Sequence, residues 1–224
     1  EQSVINAMGT LGEFFKMQKQ GKEISTDQKA QMMAHVKHLT SNGWMDDLLG
    51  RIAKMSDTKA GLTGEKREEA EALNEIFIKQ LHWDPKDNRS GGDRTAQVQK
   101  LIAVGGSVEK MQAEEAVLWR MENTKEGYGE ANQRLAEVTL KNREIIKGDD
   151  EKKKQQVALE AGIITQKQIN SYGSDDKAKR AVDAAVNQLA AYTKEFAEPF
   201  SGMADVAEGA KRASTAFLKS MDEF

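Results

Sequence analysis

His35 and His38 are the first residues in this chain whose types and spacing suit chemistry. Three positions apart on a helix, they share a face, and two imidazoles on one face can hold a metal ion. Such a site needs further ligands. The chain has no Cys, and neither histidine belongs to a His-Glu-x-x-His pattern, so the pair reads as a polar helix face. His82, beside Trp83, has no acid–base partner near it in sequence. The stretch Asp84–Asp93 holds three Asp and one Asn, which are hard oxygen donors suited to calcium. It lacks the alternating ligand positions and the closing Glu of a calcium loop, and its Asp residues read as turn formers.

Gly91-Gly92 and Gly105-Gly106 do not fit the glycine-and-lysine spacing of a phosphate-binding loop, and no strand pattern precedes them. There is no Gly-x-Ser-x-Gly elbow for a nucleophile. Paired carboxylates are frequent, but with charged residues at 31% of the chain they single out no acid–base pair. The expectation is a protein without catalytic residues, metal or cofactor. A helical enzyme assembled from scattered carboxylates would need a deep pocket and a carboxyl group of raised pKa.

The elements that would position any site are helices throughout. Met8, Leu11 and Phe15 recur at helical intervals, and Gly21 closes that helix. Ser25 and Gln28 have the spacing of a reciprocal capping box opening the next, with Met32, Val36 and Leu39 on one side. Ser41-Asn42-Gly43 ends it, and Trp44, Leu48, Ile52 and Met55 form a third stripe. Gly61–Gly64 leads into a helix over Glu65–Leu81. Further helices carry Val98 to Ile102, Val108 to Met121, and Ala131 to Ile145, separated at Gly105-Gly106 and Gly127-Tyr128-Gly129. Gly148–Lys154 is polar throughout, a loop or an exposed turn entering a helix with Val157 and Leu159.

Gly162-Ile163-Ile164-Thr165, with Gln168, repeats the punctuation of Gly21–Gln28. The longest regular pattern follows. Val182, Val186, Leu189 and Phe196 fall on one face, surrounded by alanines from Ala178 to Ala197. Small residues around such a line let another helix approach closely, and this seam is the expected partner-binding surface. A partner helix within the chain would satisfy it equally. Pro199 ends or kinks the helix, and a last one carries Met203 to Met221. The Met residues sit mainly on these stripes and suit a loosely specified core, with an adaptable interface as the alternative. Trp44, Trp83 and Trp119 suit local packing.

No segment alternates with period two for long enough to make a strand. The expected fold is all-α, a multi-helix bundle or elongated array with Gly-centred joints. The densest run of turn formers sets the expected organisation: an N-terminal helical region over 1–83, a boundary loop over 84–97, and a C-terminal helical region over 98–224, with one continuous domain as the alternative. Apolar residues are only 38% of the chain, which favours thin arrangements over a thick layered core. Acidic and basic residues are mixed, and the net charge is −3, so no basic stripe offers itself to nucleic acid. No apolar run is long enough for a membrane span. The start at Glu1 and the stop at Phe224 within a helical pattern suggest a piece of a longer protein.

The joints Gln20-Gly21-Lys22-Glu23-Ile24-Ser25 and Ala161-Gly162-Ile163-Ile164-Thr165-Gln166-Lys167-Gln168 resemble segments of bacteriophage tail tape-measure proteins. So does Phe196-Ala197-Glu198-Pro199-Phe200 followed by an Ala-rich amphipathic helix. Proteins of that family are long helical components of the tail tube. They set its length during assembly and leave it during DNA delivery, and some act on the host envelope. The resemblance implies a structural role in virion assembly, with tail-tube proteins or an assembly chaperone as partners, and self-association. It places the chain in the virion, assembled in the bacterial cytoplasm; without it the expected location is cytoplasmic. The chain lacks the apolar span and the peptidoglycan-cleaving motif of longer members, so the resemblance implies neither envelope insertion nor hydrolysis here. No functional residue of the family carries over. The alternative is a helical regulatory or effector module that binds a protein partner through Val182–Phe196.

Overall fold

Apolar side chains spaced three and four apart coil most of the described residues into helices. The computed structural model describes residues 2–41, 64–81 and 91–222, which form eleven α-helices and no strand. The protein is all-α. It divides into two units, one spanning Glu1–Val108 and the other Glu109–Glu223. Of the expected boundary loop, residues 84–90 lie outside the described residues, and 91–97 are the opening turns of a helix. That helix buries Val98, Leu101 and Ile102 within the first unit, which moves the division downstream to Val108–Glu109. Trp44, Leu48, Ile52, Met55, His82 and Trp83 also lie outside the described residues, as does the His38 side chain.

In the first unit, α1 (Gln2–Lys19) packs on α3 (Glu65–Asn74), and α2 (Thr26–Ser41) on α4 (Gly91–Ala103). Helix α3 widens into a π turn over Glu75–Gln80. Phe15 and Phe77 meet edge to face, with ring centroids 5.5 Å apart, a favoured geometry for the aromatic quadrupole. Gly12 permits the α1–α3 contact. A Cβ there would sit 2.7 Å from the Glu69 Cβ, so any larger residue would force the helices apart. Gly21, at φ 66°, closes α1 with the Lys22 amide donating to the Met17 carbonyl at 3.0 Å. This left-handed cap satisfies carbonyls that the helix end leaves open. The predicted capping box then opens α2: the Gln28 amide donates to Ser25 Oγ at 3.2 Å, and the Ser25 amide to Gln28 Oε1 at 2.9 Å.

The second unit is built from α5 (Val108–Thr124), α6 (Tyr128–Lys141), α7 (Arg143–Lys147), α8 (Glu151–Glu160), α9 (Gln166–Ser171), α10 (Asp175–Tyr192) and α11 (Val206–Asp222). Asp150 caps α8, accepting from the Lys153 amide at 3.1 Å, so the polar run begins a helix rather than extending as a loop. Helix α10 runs on through a π turn, Thr193–Ala197, and a short 3-10 turn, Glu198–Phe200, around Pro199. The proline lacks the amide that would continue an α-helical ladder. Tyr192, Phe196 and Phe217 stack at the centre of this unit, with centroids 5.1–5.7 Å apart.

One polar group crosses that apolar centre and is fully satisfied. Tyr192 donates its hydroxyl to Asn132 Oδ1 at 2.5 Å, and Asn132 Nδ2 donates to the Ser214 carbonyl and hydroxyl, each at 2.9 Å. These bonds tie α6, α10 and α11 together. Burial pushes the Tyr192 hydroxyl pKa far upward, so it stays a neutral donor.

Candidate functional site

Helix α10 carries the seam predicted to bind a partner, and its start explains its position. Ser174 caps it by accepting from the Lys177 amide at 3.4 Å, and Asp175 and Asp176 suit its positive end. The structure fills most of the seam with the chain's own helices. Leu189 is 1% exposed, Phe196 5% and Val186 9%, all within the core of the second unit. They hold that unit together and offer no surface to a partner in this fold. Ala185, Ala191 and Ala197 are buried beside them, as close helix approach requires.

Val182 is different. It lies one turn before Val186, only partly buried, where the packing opens to solvent. There α8, α9 and α10 enclose a groove of about 310 Å³. Ile169, Ala178 and Val182 supply its apolar lining, and Glu151, Lys152, Gln155, Lys179 and Asp183 its polar lining. Two acids face the groove together with two lysines, so the surface has no strong net sign. Apolar and charged side chains share its walls. The contribution of α8 had no signal in the sequence beyond Asp150 as a cap, because its wall residues are ordinary solvent-facing types.

A polar clasp joins the end of α5 to the joint between α8 and α9. At the end of α5, Arg120 makes a two-pronged bond to Glu126, Nε to Oε2 at 2.8 Å and Nη2 to Oε1 at 2.9 Å. Its remaining nitrogen, Nη1, donates to the Ala161 carbonyl at 2.8 Å. Asn123 Nδ2 donates to the carbonyls of Gly162 and Ile163, each at 2.9 Å. Asn123 Oδ1 accepts from Gln168 Nε2 at 3.1 Å, and Gln168 completes the predicted capping box with Thr165. Backbone carbonyls at the end of α8 thus find side-chain donors instead of water. The hydrogen bond from Arg120, opposed by partial burial and aided by its charge, holds the Glu126 carboxyl below its ordinary pKa of 4.5. Arg120 and Asn123 carried no sequence signal for this role, since their partners lie about 40 positions away.

Of the other candidates, His35 is exposed on α2. Among the described residues no three His, Cys, Asp or Glu side chains gather as a metal site, and no helix is long and apolar enough to cross a membrane. A second, smaller groove of about 110 Å³ between α1 and α2 is lined in part by Phe14, Met17, Ile24 and Met32. Comparison with protein families, curated proteins and solved structures finds no match to the chain.

Proposed function

We propose that this chain is a non-catalytic structural protein working through helix–helix contacts, as a component of a phage tail of the tape-measure kind. The groove walled by α8, α9 and α10 carries the reading, because its apolar lining and mixed charges suit an apposed helix. Ala178 leaves room for a close approach there, and Val182 supplies the apolar contact. The Gly-centred joints and the all-helical chain are in keeping with the tape-measure resemblance.

The test is a photo-cross-linking residue in place of Val182 during particle assembly. The expected result is a cross-link to the tail-tube protein or to an assembly chaperone, lost when Ala178→Glu is added. A free one-to-one complex with a host or bacterial regulator, and no product in particles, would overturn the tail reading and favour a regulatory module.

A further inference from the structure

We infer that α9 is a hinged strap, opening on its own while the rest of the second unit stays folded, and that it is the movable wall of the groove beside Val182. The helix has six residues, and none of its side chains is fully buried. A segment so short does not sustain itself as a helix and depends on its attachments. Two attachments reach beyond it. Ile169 packs partly buried against the core, and Gln168 donates to Asn123 at 3.1 Å. The bonds of Gln166 to Asn170 and of Ser171 to the Gln168 carbonyl are local.

Its two ends differ. Upstream, Ile163 and Ile164 are buried at 1% and 3% exposure, and Asn123 grips the carbonyls of Gly162 and Ile163. Downstream, residues 170–177 are all exposed, Tyr172 among them at 39%, and nothing lies within 4 Å of where a Gly173 Cβ would be. The strap is therefore fixed at Ile164 and loose at Gly173. The helices on either side are anchored more deeply, α8 by Val157, Ala158 and Ala161, and α10 by Ala185 and Leu189. Opening free energies follow such differences in buried contact. When α9 swings away, Ile169 leaves the groove, which loses that apolar wall and widens beside Ala178 and Val182.

As a movable wall, the strap rests on the groove being a docking surface, whereas its motion is measured on the protein alone. Hydrogen exchange followed by mass spectrometry reads that motion. Amides of residues 168–172 should exchange on the order of a hundredfold faster than those of residues 185–192. Ile169→Ala should speed the strap by about tenfold or more while leaving residues 185–192 unchanged. Asn123→Ala, which removes the polar attachment, should act in the same direction by up to about tenfold. Equal protection of residues 168–172 and 185–192 in the wild-type chain would overturn the inference. A fast strap together with no cross-link from Val182 would remove the docking role and leave the motion standing.

Discussion

The joints at Gly21–Gln28 and Gly162–Gln168 are nearly the same phrase of sequence, yet they sit in opposite surroundings. Each has a left-handed glycine, at φ 66° and 67°, followed by an apolar residue and a reciprocal capping box. Around the first, most residues from 20 to 28 are exposed, and nothing lies within 4 Å of a Gly21 Cβ. Around the second, Ile163 and Ile164 are buried, and a Gly162 Cβ would stand 3.0 Å from Thr124 Cγ2 and 3.4 Å from Arg120 Nη1. Local sequence sets how the chain turns. A distant helix decides whether the turn is held.

The comparison breaks most sharply at Arg120. Arg120→Ala should destabilise the second unit by about 3 kcal/mol, because it strands the half-buried Glu126 and the Ala161 carbonyl together. Urea unfolding followed by Trp119 fluorescence, in a chain with Trp44 and Trp83 replaced by Phe, would read this unit separately. A loss below about 1 kcal/mol would show the clasp to be decoration.

Next come the glycines. Gly162→Ala should cost about 2 kcal/mol, and Gly21→Ala about 1 kcal/mol. Both force an alanine into positive φ, but only the first also displaces neighbours. Equal losses in thermal or urea unfolding would mean that Thr124 and Arg120 yield freely.

The smallest effect is one of pH. The Glu126 pKa is lowered in the folded protein, so its ionised form contributes stability that is fully present above the ordinary value of 4.5. That contribution declines as pH falls from there through the folded value. The second unit should lose stability over that acid range, and Glu126→Gln should remove this part of the slope. An unchanged slope in the variant would assign the acid sensitivity elsewhere.

These contrasts also mark how much was legible beforehand. Helices, glycine stops and both capping boxes follow from contacts within a few residues, and the sequence displays them. The Pro199 break was equally visible. The division between units was not, because turn formers at 84–93 signal a local bend, while α4 beyond them packs back on α2. The seam at Val186, Leu189 and Phe196 announced that it would be covered, but not by what. A greasy helix face looks the same whether its cover is α6, α8 and α11 or another molecule. Asn132 sits at helical spacing from Leu135 and Ala136, so its burial was within reach. Its partners Tyr192 and Ser214 were not, since no short-range rule links positions 60 and 82 apart.

That Asn132–Tyr192–Ser214 link bears on how the second unit would respond to tension. Helices joined only by grease can creep past one another, trading one apolar neighbour for the next. Here a slip of α11 by a single turn, about 5.4 Å, would leave Asn132 without its Ser214 acceptors in a dry interior. The three helices are keyed rather than merely greased, so a steady pull should meet resistance until the key shears, and then give way abruptly.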